Sequence, residues 1–242
     1  MRGLRGYAVS AGLSGRAAEA LVQAGFSPVE RAADAAGALQ MVQARQTDVL
    51  LANAILPGMD GAALAARVRG MRLNVQPAIL LARLPGCRLP DEERLESLGA
   101  AALDNPPDAG AVLAALDGLA ARGPALPAEK AERLSSLMDA LGVPDHIGRE
   151  CLRRAVALAW ADRRRLYPLK TRLYPETARL AGVTPAQAER AIRYVIDAAW
   201  RAGDIDQQQK IFGDTIDARR GRPTCGEMIA QLADILRWEG RP

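Results

Sequence analysis

The chain has 242 residues, 49% of them apolar, with 32 Lys and Arg against 28 Asp and Glu. That length suits one large domain or two ordinary ones, and no apolar run approaches the roughly 20 residues of a membrane span. Charge is uneven: residues 1–130 hold 13 basic and 13 acidic side chains and residues 131–242 hold 19 and 15, so the net +4 falls in the second half, which predicts two domains with any polyanion partner on the second.

The first half alternates strand and helix patterns. "LRGYAVS" reads as a short strand, and "SGRAAEALVQAG" as a helix ending at Gly25, a C′ glycine. "SPVERAA" makes a poor second strand, and "DAAGALQMVQAR" has helical spacing with Asp34 as N-cap. "TDVLLANA" is continuously apolar, as expected of a strand covered on both faces. "DGAALAARVRGM" follows as a helix capped by Asp60, then "PAILLAR" as a strand and "PDEERLESLGA" as a short helix. "AALD" and "DAGAVLAALDGLAAR" complete five β-α units, the count for a doubly wound five-stranded parallel sheet of flavodoxin-like order. In such a sheet the functional edge lies at the carboxyl ends of the strands.

"RGPALPAEKAE", Arg122 to Glu132, breaks the pattern with two prolines and a glycine and predicts a linker, 122–132, between domains 1–121 and 133–242. Beyond it apolar residues recur at three- and four-residue spacing, so the second half reads as all-helical. The N-terminal "MRGLRGYAVSAGLSG" has too short an apolar run for a secretory signal. Cys87, Cys151 and Cys225 are far apart and odd in number, which fits reduced thiols and a cytoplasmic location. No cysteine pair has metal-ligand spacing and His146 is the only histidine, a helix-start residue on this reading, so neither metal nor cofactor is expected.

"YPETARLAGVTPAQAERAIRYVIDAAW", Tyr174 to Trp200, carries the most information. Pro175 opens a helix that ends at Gly182, and small Ala178 and Gly182 suit a close approach to the next helix. Thr184 caps that helix, Pro185 occupies its first position and Gln187 completes a T-x-x-Q capping box. Two helices joined by a tight glycine turn form a helix-turn-helix. On the second, Ala188, Ile192, Val195, Ile196 and Ala199 fall on one face, with Ala186, Arg190, Arg193, Tyr194 and Asp197 opposite and Glu189 on the flank. A recognition helix needs that division. Arginine pairs bidentately with guanine, and glutamate accepts from the cytosine amino group. The plainer reading is an amphipathic surface helix with solvated charges.

The segments "LGVPDHIGRECLRRAV", "LYPETARLAGVTPAQAERAIRYVIDAAWRAGDID" and "IFGDTI" closely resemble the effector domain of the stage-zero sporulation regulator A family, response-regulator transcription factors of endospore-forming bacteria. The likeness runs from about Arg133 to Trp238. It implies a six-helix domain that binds double-stranded DNA at a short box, often in tandem copies suited to a homodimer. By that resemblance Glu189 and Arg190 read bases, and Arg193 and Tyr194 make neighbouring contacts, although a member of the family has histidine where Tyr194 stands; Thr184 and Gln187, at the start of the helix, complete the candidate DNA-binding set. Phe212 and Ile216 match apolar positions through which the family touches the RNA polymerase sigma subunit; core packing is the equal alternative for Phe212. In "ADRRRLYPLKTRLYP", Arg165, Lys170 and Arg172 are candidate phosphate contacts, against the alternative of a solvated charged face.

The same resemblance makes residues 1–121 a receiver domain, whose reaction needs a carboxylate nucleophile, a divalent cation on oxygen ligands, and a lysine and hydroxyl for the product. Here the acidic pair is replaced by Ala11 and Gly12, the phospho-acceptor aspartate by Asn53, the hydroxyl by Ala82 and the lysine by Asn105. A one-residue slip would bring Asp104 into the site, but five changes exceed any single misalignment. The expectation is a transcriptional regulator with a pseudo-receiver, not an enzyme, acting without phosphorylation. The alternative is an antagonist that binds a phosphotransfer protein or heterodimerises with an active paralogue. An enzymatic or nucleotide-binding α/β half is disfavoured, because no Gly-rich phosphate loop follows strand one and no nucleophile–base pair is visible.

Overall fold

The computed structural model describes residues 6–83, 86, 91–213, 216 and 221–238. Leu4, Arg5, Cys87 and Pro90, which enter the readings above, lie outside them. The chain divides into two compact units, Met1–Pro127 and Ala128–Pro242.

In the first unit, β1 (Ala8–Ala11), β2 (Val29–Ala32), β3 (Val49–Asn53), β6 (Ala78–Arg83) and β7 (Ala100–Asp104) form one parallel sheet ordered β2-β1-β3-β6-β7. Counting only those strands, this is the flavodoxin-like order. Every residue of β3 is buried because both faces are covered. Leu50 and Ala52 pack with Val42 and Leu64 from α2 (Ala35–Ala44) and α3 (Gly61–Gly70). Val49 and Leu51 pack with Leu21 and Val112 from α1 (Gly15–Gln23) and α5 (Ala109–Arg122) on the other face. The period-2 alternation within one continuous apolar run thus feeds two cores.

Local chemistry sets the helix ends. α1 closes in a Schellman turn at Gly25 (φ +98°), with Phe26 N donating to Leu21 O at 3.0 Å and Gly25 N to Val22 O at 2.9 Å. Asp34 and Asp60 accept from Gly37 N (2.8 Å) and Ala63 N (2.6 Å), so both expected caps form. "ILPGMDG" builds a two-stranded hairpin, β4 (Ile55–Leu56) and β5 (Met59–Asp60), around Pro57-Gly58 with Gly58 at φ +78°. Arg69 is buried on α3. Its guanidinium donates to Leu98 O (2.7 Å), Pro77 O (2.8 Å) and Gly99 O (2.9 Å), and burial lowers its pKa to about 10, leaving it charged at neutral pH. It ties α3 to the short helix α4 (Glu92–Ser97) and to the turns entering β6 and β7.

The second unit contains α6 (Ala128–Ala140), α7 (Ile147–Ala161), α8 (Tyr174–Ala181), α9 (Pro185–Ala202), α10 (Ile205–Phe212) and α11 (Cys225–Trp238), with a 3-10 turn at Arg163–Leu166 and a π turn at Leu169–Leu173. α6 begins inside the stretch read as linker, directly after Pro127, where proline ends the extended segment and "AEKAERL" supplies good helix formers. Leu152, Val156, Ile192, Val195, Met228 and Leu232 are fully buried, so α7, α9 and α11 supply the centre of the core. No helix among the described residues is long and apolar enough to cross a membrane.

Candidate nucleic-acid interface

Helix α9 starts where its chemistry demands. Gln187 N donates to Thr184 Oγ1 (3.3 Å), and Thr184 N donates to Gln187 Oε1 (2.9 Å), a complete capping box with Pro185 in the first turn. Thr184 and Gln187 therefore have a demonstrable task in the cap. Ala188, Ile192, Val195, Ile196 and Ala199 are all buried, while Arg190, Arg193 and Tyr194 are exposed. The division read from helical periodicity is the one that forms.

Each outward side chain has a definite setting. Arg190 donates from Nε to Ala186 O at 3.3 Å, one turn back. Arg193 and Glu189 form an i,i+4 ion pair. Such exposed pairs are worth about 0.3–0.5 kcal/mol, so this one exchanges readily for another partner. The Tyr194 ring lies 4.7 Å from that of His146, tilted by 48°. His146 caps α7 by accepting from Gly148 N at its Nδ1 (3.0 Å), so the sole histidine starts one helix and braces a side chain of another.

The basic run before α8 is less free than its sequence suggests. Arg163 pairs with Asp234 (3.0 Å) and Arg164 with Asp162 (2.9 Å). Arg165 is half-buried between Asp162 and Glu176, and burial lowers its pKa. Lys170 and Arg172 are exposed. At the end of α10, Phe212 is only 3% exposed and meets Trp200 edge-on at 5.1 Å, the core-packing alternative. Ile216 is half-buried.

Residues 134–236 match the family model described as sporulation initiation factor Spo0A C terminal. The second unit is a Spo0A C-terminal domain. It follows an α/β unit whose five-stranded parallel sheet has receiver-like topology. Solved structures with some likeness include the receiver domain of an HD domain-containing protein from Pseudomonas fluorescens Pf-5, at 23% identity over 48% of this chain and 94% of that one, TM-score 0.38. Full-length FixJ from B. japonicum has 17% identity over 86% and 95%, TM-score 0.40. RcsB from Salmonella typhimurium has 13% identity over 86% and 96%, TM-score 0.37.

Within the Spo0A C-terminal domain the two glycines near the motif have different tasks from the one expected. A Cβ at Gly182 would meet nothing within 4 Å; this residue is needed for its left-handed backbone, φ +68°, which ends α8. The close helix approach is instead at Gly148 of α7, where a Cβ would strike the Ala191 carbonyl and the Val195 side chain of α9. Gly148→Ala should therefore destabilise this domain by about 1–3 kcal/mol through overpacking. All three tryptophans lie in this half, so the fluorescence midpoint in urea measures the loss. An unshifted midpoint would show that α7 and α9 separate without cost.

At the carboxyl edge of the first-unit sheet, positions 11, 12, 53, 82 and 105 carry no carboxylate, hydroxyl or lysine. Ala11 and Ala82 are fully buried. Asn53 is 8% exposed and donates from Nδ2 to Gly12 O at 3.2 Å. The β4–β5 hairpin lays Leu56, 4% exposed, where a Cβ on Gly12 would collide with it, so an aliphatic side chain fills the room an acidic pair would need. Register places Asp104 opposite Arg83, and the two form an exposed ion pair at 2.7 Å. That pairing removes the slipped alternative in which Asp104 enters the site. Among the described residues no cluster of three His, Cys, Asp or Glu could hold a metal ion.

Proposed function

We propose that the chain is a sequence-specific DNA-binding transcriptional regulator whose receiver-like unit works without aspartyl phosphorylation. The observation that carries this reading is helix α9. It is rigidly capped, anchored by five buried apolar residues and presents Arg190, Arg193 and Tyr194 outward within a Spo0A C-terminal domain. Arg190 and Glu189 are assigned to base edges, and Arg193 and Tyr194 to neighbouring contacts. Duplex DNA is the principal partner; a second copy on tandem boxes and the polymerase sigma subunit complete the reading. Phe212 is buried against Trp200, so of the two apolar positions Ile216 is the one assigned to the sigma contact.

The receiver-like unit, with Asn53 and Leu56 in place of a carboxylate and its metal cradle, is assigned a regulatory role by contact. Selection of duplexes from a randomised pool by the full chain tests the function. Enrichment of one short box is expected. Enrichment of none, together with stable capture of a phosphotransfer protein or an active paralogue, would favour the antagonist alternative instead.

A further inference from the structure

Beside the outward face of α9 lies a groove of about 500 Å³ that helical periodicity gives no hint of, because its walls come from three separate segments. Lys170 of the π turn, Arg193 of α9 and Arg222 before α11 line it, against one carboxylate, Glu189. Glu189 is occupied by Arg193, and Arg222 also pairs with Asp197 at 2.6 Å. Tyr174, 5% exposed, and Cys225, the first residue of α11, also line the groove.

The 14-residue helix α11 opens onto the same groove. Thr224 N donates to Glu227 Oε2 (2.7 Å) and Glu227 N donates to Thr224 Oγ1 (3.2 Å). That cap uses the amides of Thr224 and Glu227 and leaves to other partners those of Cys225 and Gly226, both on the groove wall. Gly226 also permits close packing, since a Cβ there would lie 3.0 Å from Leu169 Cδ1. Three cations and the positive end of a helix converge on one concavity, and that concavity shares Glu189 and Arg193 with the face assigned to DNA.

We propose that this groove seats a backbone phosphate of the DNA strand lying along α9, with Lys170, Arg222 and the start of α11 as its ligands. The assignment rests on the DNA-binding reading and extends it from base contacts to a clamp on the backbone. Occupancy frees Arg193 from Glu189, because a phosphate in the groove competes for the guanidinium while the carboxylate turns to a base amino group. The Cys225 thiol then lies beneath the bound strand.

The test uses the full chain and its selected box. Lys170→Gln and Arg222→Gln should each make the plot of log K against log salt shallower by about 0.9. The order of preference among box variants should be unchanged, unlike the effect of a base-reading substitution. Independently, the box should slow N-ethylmaleimide labelling of Cys225, located by peptide mass mapping. Burial pushes this thiol's pKa up, so labelling is run at alkaline pH. If the wild type selects a box but the slopes and Cys225 labelling do not respond, the groove assignment fails and the DNA-binding reading stands. If the wild type selects none, both fail. Protection of Cys225 by inorganic phosphate at matched ionic strength, but not by DNA, would give the groove to a free anion and overturn the clamp.

Discussion

Arg190→Ala should weaken binding of the full chain to its selected box by about 1–3 kcal/mol, roughly a 5- to 160-fold loss. Arg190 is exposed on α9, and its only described bond is from Nε to a backbone carbonyl one turn earlier. The fold therefore does not depend on it, and exposed substitutions of this kind usually change stability by about 0.5 kcal/mol or less. Affinity should fall while the urea midpoint stays in place. The loss should concentrate at one base pair of the box, because a bidentate arginine discriminates one base from the others. A variant that keeps the wild-type preference at every position would sink the base-reading assignment. A variant weakened uniformly on all sequences would reassign Arg190 to the backbone.

The second large effect is a reaction that should not occur, even after the obvious repair. Neither the wild type nor Asn53→Asp should be labelled by acetyl phosphate with magnesium. An aspartate at 53 restores a nucleophile but none of its support. Ala11 is buried among apolar side chains, Ala82 offers no hydroxyl and Asn105 no cation. Leu56 occupies the space beside Gly12, and Gly12 itself has φ +63°. A carboxylate at position 12 would have to displace Leu56 and hold a left-handed backbone, a strain of roughly 1–2 kcal/mol. Stoichiometric labelling of Asn53→Asp would show that these groups are dispensable and that the edge is one substitution from activity.

Much of the architecture was readable because it follows local rules. The caps at Asp34, Asp60 and Thr184 form as their spacing dictates, and the buried face of α9 is the one its period assigns. Side chains whose role depends on a partner distant in the chain were not readable. Leu56 meets Gly12, Arg163 meets Asp234, and Gly148 meets Ala191. Nothing in the flanking residues marks these pairs. Gly182 misleads for the same reason: a small residue at a helix end is equally consistent with close packing and with a left-handed turn, and only the tertiary structure separates the two. The run Arg163–Arg165 likewise reads as free charge until Asp162, Glu176 and Asp234 are seen beside it.

The sequence by itself determined the five β-α units, the capped amphipathic helix and the absence of a carboxylate, hydroxyl or lysine at positions 11, 12, 53, 82 and 105. Those properties reside in side-chain chemistry and in periods of two and 3.6 residues. Tertiary structure alone decided that Leu56 fills the space beside Gly12 at the carboxyl edge of the sheet, that Phe212 belongs to a core, and that Lys170, Arg222 and the start of α11 converge on one groove. Convergence of that kind is a matter of how separate segments pack, and packing is set by the whole fold at once rather than by any stretch of it.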